Sequence, residues 1–146
     1  MIALPLPCSS VIVLGNLQPI AGAFLGGLAS LAAPKLGAIA IRAALERSGI
    51  AADQIDEVYM GNVVQAGVGQ APARQAALGA GLPQSVPGIT LNRLCASGME
   101  AVGTAARAIR AGEMEFAIAG GVESMTRAPF VQGTAQEAFS RSAEIF

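Results

Sequence analysis

Short β-branched runs alternate with helical segments that end at glycine, and this alternation constrains the fold of the chain more than any other feature. Residues 11–14 read as a buried strand, ended by Gly15 and Asn16. Residues 19–33 are rich in Gly and Ala without a clean period and read as a loop. From Pro34 onward, Leu36, Ile39, Ala40, Ala43 and Arg47 fall at helical spacing, with Pro34 suited to a first turn and Gly49 to a C-terminal stop. A polar connector at 53–56 leads to a second strand over 58–64, whose Gly61 and Asn62 point to a kink or a close backbone approach. A turn through Gly67 and Gly69 opens a helix over about 72–78, stopped by Gly79, Gly81 and Pro83. A third strand over 89–94, a third helix over 96–111 closed by Gly112, and a fourth strand over 116–119 closed by Gly120 and Gly121 complete the series. The implied architecture is a layered α/β domain on a mostly parallel sheet. Beyond Glu123 the pattern fades, and 137–146 reads as a further helix without a capping signal.

Composition narrows the function classes. At 146 residues the chain can hold one ordinary domain but not a second. Hydrophobic residues make up 53% and charged ones 13%, with a mean hydropathy of +0.54. Such a domain has too little polar material to cover its own surface, so a large partner surface is expected, either another copy of the chain or further sequence. The net charge of −1, with nine scattered Lys and Arg, argues against nucleic acid as a partner. No apolar run reaches the roughly 18 residues that a bilayer span needs, so the hydropathy belongs to a core. Residues 1–7 carry two prolines and no basic stretch, unlike a secretory signal or an Arg-rich transit peptide, which points to a cytoplasmic protein. The two cysteines, Cys8 and Cys95, are far apart and suggest neither a disulfide framework nor a metal site. The absence of histidine removes the commonest general base and the commonest zinc ligand.

The candidate for chemistry is Cys95, between an expected strand and an expected helix in the run Asn92-Arg93-Leu94-Cys95-Ala96-Ser97-Gly98-Met99. A side chain there meets unpaired backbone N–H groups and the positive end of the helix dipole, an environment that favours a thiolate nucleophile. The small residues Ala96, Ser97 and Gly98 would let an acyl group approach, and the Cys95 N–H could donate to a developing oxyanion. The competing reading makes Cys95 a small buried hydrophobe. Cys8, beside Pro7 and Ser9, is read as incidental. The small residues of the third helix suit burial between layers. Gly120 and Gly121 are either an active-site edge or a plain strand end, and Asp53, Asp56 and Glu57 are read as a solvated turn.

The run from Leu91 to Val102 around Cys95 resembles the active-site cysteine segment of thiolases. Met60-Gly61-Asn62-Val63 and Gly67-Val68-Gly69-Gln70-Ala71-Pro72-Ala73-Arg74-Gln75 before it support the resemblance. So does Ala119-Gly120-Gly121-Val122-Glu123-Ser124-Met125-Thr126-Arg127-Ala128-Pro129 after it, all in thiolase order. The resemblance implies a thiolase-like layered fold with a mostly parallel mixed sheet and a buried helix after the nucleophilic cysteine. It divides the chain into an α/β core over about 11–122 and the start of a loop region over 123–146, with the C-terminal domain absent. It also implies acyl transfer through a Cys95 thioester, either joining two acetyl-CoA molecules into acetoacetyl-CoA or cleaving a 3-ketoacyl-CoA. CoA thioester enters as substrate, and no resident cofactor or metal is implied. Thiolases carry an Arg-Thr-Pro-Ile-Gly turn where this chain has Leu17-Gln18-Pro19-Ile20-Ala21-Gly22. Their Asn-Glu-Ala-Phe segment, Gly-His-Pro histidine and second Cys-Gly-Gly-Gly cysteine have no counterpart here. The isolated chain is therefore expected to turn over negligibly. Two alternatives stand beside this reading: a non-catalytic remnant or assembly partner, and a ketosynthase-like condensing enzyme.

Overall fold

A computed structural model describes residues 22–134. The strand expected at 11–14 and the helix expected at 137–146 lie outside the described residues. After turns over 22–32 the chain forms α1 (Ala33–Ser48), a 3-10 turn (Ala52–Gln54), β1 (Glu57–Gly61), α2 (Pro72–Ala80), β2 (Gly88–Leu91), α3 (Ser97–Ala111) and β3 (Ala117–Gly121). A second 3-10 turn follows (Met125–Arg127). The three strands form a sheet in the order β2-β1-β3, both pairings parallel. This is the expected α/β architecture. Among the described residues the sheet is wholly parallel, with no antiparallel member.

The helix ends follow from local chemistry. Pro34 and Pro72 sit in the first turns of α1 and α2, where a missing N–H costs nothing. The three helices each close on a left-handed glycine, Gly49, Gly81 and Gly112, whose N–H turns back onto the last carbonyls. Strand bounds are shorter than the apolar runs that announced them. β1 stops at Gly61, leaving Val63 and Val64 half-buried outside it, and β2 stops at Leu91 rather than 94. Gly120 and Gly121 pair with Met60 and Gly61 as part of β3 instead of terminating it.

The alternation of side chains along β1 divides the core. Val58 and Met60 point to one face, where they pack with Ile41 of α1, Ala73, Ala76 and Ala77 of α2, and Ile118. Tyr59 points to the other, against Ala101 and Ala105 of α3. Helices on both faces make β1 the buried central strand of a parallel sheet. α1 and α2 approach through small residues: a Cβ on Gly37 would lie 3.0 Å from the Ala76 Cβ, and one on Gly79 would lie 3.0 Å from the Ala38 Cβ.

The packing selects one face of each outer helix. The inward face of α1 is Ala33, Leu36, Gly37, Ala38, Ile41 and Ala44, so Ile39 stands outward, 46% exposed. The core of Ala and Gly that receives α1 selects a smooth face, not the bulkiest one. α3, the helix after the cysteine, is buried along Ser97, Ala101, Ala105, Ala108 and Ile109. Its opposite side carries Met99 at 78% exposure, because nothing among the described residues packs there.

Candidate active site

The parallel register brings the C-terminal ends of all three strands side by side, with Gly61 opposite both Leu91 and Gly121. Ligands of open parallel sheets collect at this edge. The chain leaves β2 here and turns within five residues into α3, and Cys95 lies in that turn. Cys95 is exposed among the described residues rather than buried. Cys8 lies outside the described residues.

The turn is held by its own polar groups. Leu94, immediately before the cysteine, adopts a left-handed backbone conformation (φ 52°) although it has a Cβ, a strained state that neighbouring contacts must maintain. The Leu94 N–H donates to Asn92 Oδ1 at 3.0 Å. The Arg93 N–H donates to Ser97 Oγ at 2.8 Å, and the Ser97 hydroxyl donates to the Leu94 carbonyl at 2.6 Å. The Ala96 and Ser97 N–H groups fold back on the Arg93 and Leu94 carbonyls, and the Glu100 N–H makes the first helical bond to Ala96. No side chain caps α3, and its first turn packs directly on β1, where a Cβ on Gly61 would lie 2.5 Å from the Gly98 nitrogen.

The small residues after Cys95 serve packing more than access. Ser97 is buried and committed to the turn. A Cβ on Gly98 would lie 3.3 Å from the Gly121 α-carbon, and one on Gly61 would lie 2.3 Å from the Ser97 carbonyl carbon. Ala96 is exposed. The close approach expected at Gly61 is therefore made to the start of α3. These roles of Asn92, Leu94 and Ser97 were not read from the sequence; only the Asn and Ser flanking the cysteine at short range could have hinted at them.

A second polar network lies beside this edge. Glu123 accepts the N–H groups of Val63 and Val64 at 2.9 and 3.1 Å and the Asn62 side-chain amide at 2.9 Å. That amide also donates to the Val122 carbonyl, whereas the buried Asn62 Oδ1 has no partner among the described residues. Glu123 thus ties the segment after β1 to the segment after β3. On the outer surface Glu100 pairs with Arg107 at 2.7 Å and Arg93 at 3.3 Å. The hydrogen bond from Arg107 chiefly holds the Glu100 carboxyl below its ordinary range, with the charge of Arg93 adding to it. The acidic group at 53–57 is more than a solvated turn: Asp56 Oδ2 accepts the N–H groups of Glu115 and Phe116 at 2.8 and 2.9 Å, and Glu57 Oε2 accepts the Tyr59 hydroxyl at 2.6 Å.

Among the described residues no helix is long and apolar enough to cross a membrane. The family model for the thiolase N-terminal domain matches residues 10–144. The chain is 52% identical over 88% of its length to acetyl-CoA acetyltransferase B, mitochondrial, of Xenopus laevis, covering 30% of that protein. It is 53% identical over 83% of its length to the mitochondrial acetyl-CoA acetyltransferase of Rattus norvegicus, covering 28% of it. It is also 55% identical over 85% of its length to the beta-ketoadipyl-CoA thiolase of Pseudomonas putida, covering 32% of it. The chain thus spans about a third or less of the length of these relatives. With a match over nearly its whole length, on a parallel α/β sheet whose edge presents an exposed cysteine before a helix, the chain belongs to the thiolase N-terminal domain family.

Proposed function

We propose that this chain carries the nucleophile of an acyl-CoA acyltransferase. The Cys95 sulfur attacks the carbonyl carbon of a CoA thioester, a new C–S bond forms as the old one breaks, and CoA leaves as a thiolate that takes up a proton. Cys95 holds the acyl group as a thioester until a second acceptor takes it. The observation that carries this reading is the exposed Cys95 in a locked, strained turn directly before the first turn of α3. Backbone N–H groups at such a helix start can stabilise the oxyanion that develops on an attacked carbonyl.

The names of the vertebrate relatives favour acetyl transfer between two acetyl-CoA molecules, and that of the Pseudomonas putida relative favours thiolysis of a 3-ketoacyl-CoA. Both begin from the same acyl-Cys95. The 146 residues contain no histidine to activate the thiol or to deprotonate an attacking acetyl group, so the chain alone is expected to turn over negligibly. The uncovered side of α3 supports assembly with a second copy or with further sequence. A cytoplasmic setting belongs to the same proposal, although the vertebrate relatives are named mitochondrial.

Incubation with radiolabelled acetyl-CoA tests the first step. Label and added mass on Cys95 in the wild type, absent in Cys95→Ser, is the expected result. No label in the wild type, or equal label in the variant, would turn the reading toward a non-catalytic assembly partner.

A further inference from the structure

We propose that Ser97 is the positioning residue of the nucleophile: its buried hydroxyl locks the left-handed turn at Leu94 and so fixes the direction in which the Cys95 thiol faces an incoming carbonyl. The proposal rests on the acyl-transfer reading and deepens it. Ser97 is 4% exposed, and both hydrogen-bonding capacities of its hydroxyl are spent on the two residues before Cys95, accepting from the Arg93 N–H and donating to the Leu94 carbonyl. Ser97 is the first residue of α3, after the N-cap Ala96, a position from which a serine hydroxyl can bond back to a carbonyl three residues earlier. Here the oxygen faces away from α3 and into the loop.

The turn needs such a lock. Leu94 pays the cost of a left-handed backbone without glycine, and its 70% exposed side chain has too little packing to hold it there. The restraints on the turn are polar: Ser97 from the helix side and Asn92 Oδ1 from the strand side. Ser97 is itself packed against the sheet, because β1 passes so close that a Cβ on Gly61 would lie 2.3 Å from the Ser97 carbonyl carbon. The hydroxyl therefore couples a fixed point of the sheet to the residue that aims Cys95. Attack on a carbonyl depends on trajectory, and a misplacement near 1 Å can cost about a hundredfold in rate.

The test uses a small thioester, S-acetyl-N-acetylcysteamine, which needs no CoA-binding surface. Cys95 Sγ attacks its carbonyl, the acetyl group moves to Cys95, and N-acetylcysteamine leaves and is protonated by solvent. Acetylation of Cys95 and of Cys8 in the same molecule is followed by peptide mass, beside alkylation of both thiols by iodoacetamide. In the wild type Cys95 is expected to acetylate well ahead of Cys8. Ser97→Ala is expected to slow Cys95 acetylation about tenfold, with its alkylation unchanged within about twofold, and Ser97→Thr to restore the wild-type ratio. A purely structural serine would lower the melting midpoint without moving the ratio of acetylation to alkylation. Should Ser97→Ala fail to fold, Asn92→Ala removes the lock from the exposed side and is expected to lower the same ratio. Fast wild-type acetylation that survives both substitutions overturns the positioning role alone. Wild-type acetylation of Cys95 no faster than that of Cys8 overturns the acyl-transfer reading and the positioning role together.

Discussion

Gly61 and Ser97, 36 positions apart in sequence, touch so closely that a Cβ on Gly61 would lie 2.3 Å from the Ser97 carbonyl carbon and 2.6 Å from its oxygen. The end of the central strand is thereby the floor on which the Cys95 turn and the first turn of α3 are built.

Gly61→Ala is therefore expected to be the most damaging single-methyl change in the sheet. The obstructing atoms are backbone, and neither the paired strand nor the helix can step aside cheaply. A loss of about 3 kcal/mol or more in urea unfolding is expected, at the upper end of overpacking costs. Gly79→Ala, which would meet only the Ala38 side chain at 3.0 Å, should cost markedly less.

Asp56 fastens the entrance of β1 to the entrance of β3 through the N–H groups of Glu115 and Phe116. Bonds to a carboxylate are stronger than neutral ones, so Asp56→Ala should lose about 2 kcal/mol of stability. Asp56→Asn keeps an acceptor oxygen and should lose less than half as much. Hydrogen exchange at the Glu115 and Phe116 amides would rise in the Ala variant and locate the effect.

Tyr59 gives the protein an alkaline limit. Burial first, then its hydrogen bond to Glu57 and the charges of Glu57 and Glu113, push its phenol far above the ordinary 10.0. The folded state thus keeps a proton that the unfolded state releases above pH 10, and stability falls as pH rises from there. Below pH 10 the contribution is fully present. Tyr59→Phe should cost about 1–2 kcal/mol near neutrality by losing the bond to Glu57, and its urea midpoint should converge on that of the wild type as pH climbs toward 11. A gap that stays constant over that range would contradict this account.

Glu100 acts in the opposite direction. Its lowered carboxyl, paired chiefly with Arg107 and also with Arg93, stabilises the fold above its ordinary 4.5 and loses that contribution as pH falls through its folded value. The guanidinium partners are 64% and 66% exposed, so the effect is small and screened. Glu100→Gln should lower the melting midpoint slightly at pH 7 in low salt, by an amount that shrinks as pH falls below 4.5 and in 1 M NaCl.

The glycines that close the helices could be read directly from the chain, although α2 runs through Gly79 to Ala80, beyond its expected end at 78. Gly49, Gly81 and Gly112 stand where a left-handed residue must close a helix, and that requirement is local. The place of Cys95 between a strand and a helix was legible for the same reason, since both flanking periodicities lie within twenty residues of it. So was the class of fold, because alternating strands and helices leave few layered solutions. Tertiary contacts decided the rest. Ile39 faces outward because the partner surface of α1 is built from Ala76 and Gly79, more than thirty positions away. Asp56 left its expected solvated turn because two N–H groups nearly sixty positions on needed an acceptor. Ser97 belongs to the turn because the strand at Gly61 fixes it there, and a strained backbone such as that of Leu94 persists only where contacts distant in sequence hold it.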